Sequence, residues 1–177
     1  LRGPVRAVLL DGSGEIEARA LVVATGVSYR RLAAAGLDEL TGRGVYYGVN
    51  ASEAGQCQGD EVYIVGAANS AGQAALSLAR YAERVVLVVR AATLADTMSR
   101  YLVERVTATP NISLRYRTEV VAGRGDGHLE ALTLADRSSG VTEEVASSWL
   151  FVFIGASPRT EWLGADVVRD DKGFVVT

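Results

Sequence analysis

The chain has 177 residues, a formal net charge of −3 and 49% hydrophobic residues, which predict one good hydrophobic core or two small ones. The sequence carries no basic stripe, which excludes nucleic acid as a partner, and its longest apolar runs have the length of strands rather than of a membrane span. A single cysteine, Cys57, excludes an internal disulfide framework. With no signal peptide visible, we expect a cytoplasmic protein, and the start at Leu1 rather than methionine indicates a fragment.

The first part of the chain predicts a β meander. Residues 4–10, 15–18 and 20–24 are typical of strands, and the Asp-Gly-Ser-Gly sequence at 11–14 is typical of a turn. Residues 27–42 lack proline and are rich in leucine, alanine, arginine and glutamate. This composition predicts a connection with a short helix.

The most informative segment is an apolar strand at residues 61–65 that runs into Gly-Ala-Ala-Asn-Ser-Ala at 66–71 and then into a helical pattern. Ser70 and Gln73 have the spacing of a capping box at the start of that helix. A second strand follows at 85–89. Such a strand–helix–strand unit has the size of a parallel crossover, and the amides at its helix N-terminus can hold a pyrophosphate.

Residues 66–71 match two of the three small-residue positions of the dinucleotide-binding pattern G-x-G-x-x-G/A, through Gly66 and Ala71. Ala68 stands at the middle position, where glycine allows the backbone to approach the pyrophosphate closely. We therefore expect the methyl group of Ala68 to weaken or shift the ligand. An ordinary tight turn between a strand and a helix is the alternative interpretation.

The end of the second strand distinguishes the two nicotinamide cofactors. NAD sites place a carboxylate there for the ribose 2′-hydroxyl, whereas arginine suits the 2′-phosphate of NADP. This strand ends in Arg90 and the next acid is Asp96, so we expect NADPH. Arg100 is a weaker candidate for the same phosphate, and for both arginines a solvated surface charge is the alternative.

The rest of the chain predicts a helix at residues 97–106 and a series of strands. These strands are expected at residues 111–114, 117–122, 129–134, 141–147 and 150–154. The predicted fold class is α/β, with a Rossmann-like parallel sheet and an added antiparallel β meander at 117–147. The parallel strands are expected at residues 62–65, 85–89, 112–114 and 150–154.

Three separated segments, in this order, resemble the pyridine-nucleotide half of the thioredoxin-reductase family of flavoproteins. They are Leu-Val-Val-Ala-Thr-Gly at 21–26, residues 66–71 with Arg90, and Phe-Val-Phe-Ile-Gly-Ala-Ser-Pro-Arg-Thr at 151–160. The resemblance covers essentially the whole chain. It implies partial flavin-domain strands and a connection at 1–43, an NAD(P)H-binding domain at 44–149 and a return to the flavin domain at 150–177.

The resemblance also implies a cofactor and its neighbours. Carried over by position, the NADPH neighbours are Gly66, Asn69, Ser70, Ala71, Arg90, Ile154 and Gly155. Ala68 and Arg100 complete the candidate site. The family's flavin site needs glycine-rich segments that would precede and follow this chain, so we expect FAD only in the full-length protein and no activity from the fragment alone.

The chain departs from the family at its redox centre. Thioredoxin reductases place a Cys-x-x-Cys pair just after a Gly-Val-x-Tyr segment, because dithiol exchange needs an attacking and a resolving thiol. Here residues 44–47 are Gly-Val-Tyr-Tyr, but Gly-Val-Asn-Ala follows at 48–51 without sulfur. We expect Cys57 to be a small buried side chain and His128, the only histidine, to be solvated in a turn. We accordingly expect no catalytic side chain and no metal site.

The leading hypothesis is an FAD-dependent NAD(P)H oxidoreductase, in which this part binds NADPH and the intact protein passes hydride to FAD. A non-catalytic nucleotide-binding or regulatory module is the alternative, motivated by Ala68 and by the absent cysteines. A third interpretation, an ordinary NAD-dependent dehydrogenase, lacks support because this sequence shows no substrate domain. The expected partners are the nucleotide and an unknown electron acceptor, and a homodimer is left open.

Overall fold

A computed structural model of the chain describes residues 6–12 and 14–176. The described strands, in chain order, are β1 (Arg6–Leu9), β2 (Glu15–Ala18), β3 (Val27–Tyr29), β4 (Val45–Tyr47), β5 (Glu61–Val65), β6 (Arg84–Val89), β7 (Ile112–Tyr116), β8 (Thr118–Arg124), β9 (Ala131–Asp136), β10 (Thr142–Ala146), β11 (Leu150–Val152) and β12 (Ala156–Pro158). The described helices are α1 (Ala51–Gln56), α2 (Asn69–Leu78) and α3 (Arg100–Ala108). The chain divides into two compact units, one of residues up to Arg30 together with those from Ala156 onward, and one of Arg31–Gly155.

The smaller unit contains two antiparallel strand pairs, β1 with β2 and β3 with β12. The hairpin of the first pair confirms the strand predicted at 15–18, while the first two residues of the strand predicted at 4–10 lie outside the described residues. The strand predicted at 20–24 is wrong. This apolar segment is irregular, because no strand among the described residues offers it a hydrogen-bond ladder, and Val22 within it is 86% exposed.

The short helix predicted within residues 27–42 is also wrong. The segment begins as β3 and continues into hydrogen-bonded turns. Ala35 pairs with β8 through its N–H to the Val121 carbonyl (3.1 Å) and its carbonyl to the Gly123 N–H (2.8 Å). This pairing with a distant strand overrides the local helix propensity of the leucines and alanines.

A five-stranded parallel sheet is the centre of the larger unit, with the strand order β4-β11-β5-β6-β7. The predicted α/β class and the pairing of β5 with β6 are confirmed. The structure adds β4 as an edge strand that the sequence reasoning did not predict, and β11 ends at Val152 rather than at Ile154. The carboxyl ends of all five strands therefore lie along the same edge of the sheet.

The predicted antiparallel meander is confirmed as a second sheet with the order β10-β9-β8. Side chains of the parallel strands alternate between two cores. Val62, Ile64 and Leu87 join the core that includes residues of α2 and α3, whereas Tyr63 and Val86 join the core that includes residues of β8 and β9. Burial on both faces explains why these strands read as unbroken apolar runs.

The helices begin at positions that differ from the predictions. The sequence reasoning did not predict α1, which starts with a capping box formed by Asn50 and Glu53. The helix predicted at 97–106 starts later, as α3, because the N–H groups of Thr97 and Met98 bond to the Leu94 carbonyl in a turn of their own. Among the described residues, no helix is long and apolar enough to cross a bilayer.

The prediction that Cys57 is a buried side chain is confirmed. Its exposure is 0%, and its thiol donates to the Glu53 carbonyl at 3.2 Å. Burial, with smaller contributions from Asp60 and Glu53, raises the pKa of the thiol from 9.0 to about 12. The folded state therefore binds the thiol proton more tightly than the unfolded chain does. The contribution of Cys57 to the free energy of unfolding is complete below about pH 9 and is lost as the pH rises toward 12.

We predict that Cys57 is unreactive in the folded protein at pH 8. The raised pKa leaves very little thiolate, so alkylation by iodoacetamide should be at least about a hundredfold slower than in denaturant. Mass spectrometry over time measures both rates, with Cys57→Ser as the control for labelling at other residues. Equal rates in the folded and unfolded protein would contradict the buried position.

Candidate functional site

A cavity of about 350 Å³ lies at the carboxyl ends of β5, β6 and β11, within the larger unit. Its lining residues are Val65, Gly66, Ala67, Ala68, Val88, Arg90, Ala91, Thr97, Phe153, Ile154 and Gly155. Crevices outside the carboxyl ends of the strands are where open α/β sheets bind their ligands. Five of the predicted site residues line this cavity, namely Gly66, Ala68, Arg90, Ile154 and Gly155.

At Gly66 the end of β5 lies close both to α2 and to Phe153, which follows β11. The φ of +154° at Gly66 favours glycine, and a Cβ atom there would lie 2.7 Å from the Phe153 carbonyl oxygen and 2.9 Å from the Ala71 Cβ. The Gly66 N–H donates to the Val88 carbonyl at 3.2 Å. The turn after β5 therefore needs glycine at this position, and the buried Ala71 packs against it.

The first turn of α2 opens at the cavity without a side-chain cap. The N-cap residue is Ala68, and Ser70 is already inside the helix, so the capping box predicted for Ser70 and Gln73 is wrong. The first helical hydrogen bond runs from the Gly72 N–H to the Ala68 carbonyl, which leaves the preceding amides without a helical partner. With no acidic residue in this turn, the helix end favours an anion.

Ala68 itself adopts an extended conformation, with φ −94° and ψ 179°. Any residue tolerates this backbone, so the turn does not need glycine at its middle position. Ala68 is exposed at the cavity, and its methyl group occupies space where a glycine would leave room for a ligand.

Asn69 does not line the cavity, and its side chain instead binds the backbone of Ser99, 30 residues later in the chain. Its Oδ1 accepts from the Ser99 N–H at 2.7 Å, and nearby the Thr97 hydroxyl donates to the Ala67 carbonyl at 2.7 Å. Sequence reasoning missed Thr97, because nothing in its local pattern indicates a contact with residues 66–68, the glycine turn between β5 and α2. It also missed the apolar wall of Val65, Val88 and Phe153, although strand ends beside a glycine turn are the natural place to look for one.

The structure separates the two candidate arginines. Arg90 follows β6, is exposed and lines the cavity, and no carboxylate among the described residues forms an ion pair with it. The Arg100 side chain is 92% exposed and pairs with Glu104 of the same helix, Nε to Oε1, at 2.8 Å. Arg100 does not line the cavity.

His128 is half-buried rather than solvated, so that prediction is wrong. Its ring meets Trp149 edge-on, with 5.6 Å between centroids, and its Nδ1 lies 3.0 Å from the Leu129 carbonyl. The loop containing His128 folds back onto Trp149, just before β11, an arrangement that the Gly-Asp-Gly-His sequence does not reveal. His128 contacts the aromatic core residue Trp149 and is not part of the cavity lining.

Comparison with known proteins agrees with this architecture. The family model described as pyridine nucleotide-disulphide oxidoreductase matches residues 4–177. Thioredoxin reductase of Streptomyces clavuligerus is 33% identical over 99% of this chain and 53% of its own length. That of Treponema pallidum is 31% identical over 96% of this chain and 54% of its own length.

Solved structures show the same fold. Thioredoxin reductase of Streptococcus pyogenes superimposes with a TM-score of 0.81 at 24% identity, over 100% of this chain and 57% of that one. The enzyme of Giardia duodenalis gives 0.78 at 26% identity, over 90% and 52%. The chain thus spans about half the length of these relatives. The resemblance drawn from the three sequence segments is confirmed, and the chain belongs to the pyridine nucleotide-disulphide oxidoreductase family.

Proposed function

We propose that this chain is the NADPH-binding part of a flavin-dependent oxidoreductase that resembles thioredoxin reductase. The observation that supports this most directly is the cavity at the sheet's carboxyl edge, which is lined by both Ala68, the N-cap of α2, and Arg90. In the proposed assignment, residues 44–149 are the nucleotide domain, while 1–43 and 150–177 belong to the flavin domain. The compact unit Arg31–Gly155 is wider than the first of these ranges.

The residues present fit a dinucleotide phosphate. Gly66 allows the tight turn into α2, because a Cβ there would collide with the Phe153 carbonyl oxygen and with Ala71, and the amides at the start of α2 can donate to a pyrophosphate. Arg90 offers a planar pair of donors to a 2′-phosphate, and no neighbouring carboxylate among the described residues competes for it. The apolar side chains of Val65, Val88 and Phe153 give the ligand a largely apolar wall.

In the intact protein, NADPH would supply hydride to FAD. This chain's residues would bind and orient the nucleotide without giving or taking a proton, so no catalytic side chain is assigned to them. FAD belongs, in this proposal, to the full-length protein only. A cytoplasmic location and a homodimer remain predictions.

The electron acceptor is proposed to differ from that of dithiol reductases. Gly48 and Ala51 carry no sulfur, and Cys57 is a buried neutral thiol that cannot both attack and resolve a disulfide. Since these 177 residues contain no thiol pair, a non-catalytic nucleotide-binding module remains the second candidate. The two candidates differ in whether a longer version oxidises NADPH, if it also contains the flavin segments, which are the family's glycine-rich FAD-binding segments that would precede and follow this chain.

We predict that the chain binds NADPH about tenfold or more tightly than NADH, because only NADPH can form the charge-assisted pair with Arg90. Titration calorimetry on the wild-type chain measures both affinities. Arg90→Ala should erase most of the preference and leave the NADH affinity nearly unchanged. Arg84→Ala, which removes the same charge at the opposite end of β6, is the matched control and should keep the preference.

Three outcomes of this titration would contradict the proposal. Equal affinity for the two nucleotides would exclude Arg90 as the phosphate ligand, and loss of the preference in Arg100→Ala would assign the phosphate to Arg100 instead. If neither nucleotide binds and Ala68→Gly does not restore binding, the chain is not a nucleotide-binding module at all.

We also predict that a version of the protein containing both flavin segments does not reduce thioredoxin through residues 48–51. Stopped-flow measurement of NADPH oxidation with thioredoxin as the acceptor should show no turnover above the rate without thioredoxin. Cys57→Ser should behave like the wild type. Rapid turnover in both proteins would reveal an acceptor site that this proposal lacks.

A further inference from the structure

Two hydrogen bonds join the glycine turn to the segment that follows Arg90. The Thr97 hydroxyl donates to the Ala67 carbonyl, and the Ser99 N–H donates to Asn69 Oδ1, each at 2.7 Å. Both bonds link residues that are 30 positions apart in the sequence. The segment 97–99 is therefore fastened to the turn that opens α2.

Other contacts hold this segment in place independently of the Thr97 hydroxyl. Leu94 is fully buried and Met98 is 4% exposed in the core that includes α2. A Cβ atom on Gly72 would lie 2.8 Å from the Met98 sulfur, so this glycine makes room for Met98. The Arg117 N–H donates to the Ala91 carbonyl at 3.0 Å, which anchors the chain between Arg90 and the segment 97–99. The hydroxyl of Thr97 is thus not required to keep the segment folded.

The bond from Thr97 fixes the orientation of one peptide group. The peptide between Ala67 and Ala68 is planar and trans, so its carbonyl and its N–H point in opposite directions. A carbonyl turned toward Thr97 therefore turns the Ala68 N–H away from Thr97. Ala67, Ala68 and Thr97 all line the cavity, so this orientation decides where an amide donor is directed.

We propose that Thr97 is a positioning residue for the pyrophosphate of the bound nucleotide. Its hydroxyl holds the Ala67–Ala68 peptide so that the Ala68 N–H donates to the pyrophosphate, and Asn69 keeps the segment 97–99 beside the turn. This inference rests on the proposed nucleotide function and adds a residue that the function itself does not require. Since NADPH and NADH share the pyrophosphate, Thr97 supports both, whereas Arg90 distinguishes them.

Two ligand fragments separate these roles. 2′-Phospho-ADP-ribose carries both the pyrophosphate and the 2′-phosphate, whereas adenosine 2′-monophosphate carries only the latter. Thr97→Val keeps the shape of the side chain and should weaken 2′-phospho-ADP-ribose about tenfold while changing adenosine 2′-monophosphate by less than about twofold. Thr97→Ser should restore the wild-type affinity, and Arg90→Ala should weaken both fragments. Calorimetry or NMR titration measures the affinity of each fragment for the 177-residue chain and for each of these variants.

The outcomes distinguish this inference from the proposed function. If the wild-type chain binds neither fragment nor NADPH, both are wrong. If the wild type binds and Thr97→Val binds 2′-phospho-ADP-ribose equally well, only the role of Thr97 is wrong. An equal loss for both fragments, or no recovery in Thr97→Ser, would also overturn it, because a displaced segment rather than a missing hydroxyl would be the cause. Thr97→Ala provides the same comparison if Thr97→Val does not fold.

Discussion

The close approach of three elements at Gly66 is the constraint on which the candidate site depends. A side chain there would collide with the Phe153 carbonyl on one side and with Ala71 on the other. Because the strand can turn so tightly, α2 starts at Asn69, directly after Ala68, which is its N-cap and lines the cavity. Arg90 lies at the same edge. The turn at Gly66 therefore places the N-terminal end of the α2 dipole and the positive charge of Arg90 at one cavity, and both favour an anion.

The elements that were predicted correctly from the sequence are buried elements that pack against elements next to them in the chain. β5, α2 and β6 follow one another and bury apolar side chains on both faces of the sheet, so their pattern is strong. The failures are residues whose structure depends on distant partners. The apolar segment 20–24 has no strand beside it among the described residues. Within residues 27–42, β3 pairs with β12 and Ala35 pairs with β8, so distant strands override the local helix propensity.

The site could be predicted in part for the same reason. Gly66 and Arg90 lie at the ends of recognisable strands, and the topology of a parallel sheet brings such ends together. Asn69 and Ser70 were assigned by position in a motif, and the structure instead gives Asn69 a partner at Ser99. Thr97 could not be predicted, since its bond to Ala67 joins residues that are far apart in the sequence. Contacts across 30 residues depend on packing that no local pattern contains.

The central claim is that the nucleotide binds at the carboxyl edge of the parallel sheet, and backbone NMR of the chain titrated with NADP⁺ tests it most directly. The largest amide shifts should fall on Ala68, Ala71, Arg90 and Gly155, which surround the cavity or the start of α2. Glu61 and Arg84, at the opposite ends of their strands, should shift little. Saturable shifts centred on the opposite edge, or an unchanged spectrum at millimolar nucleotide, would contradict the account.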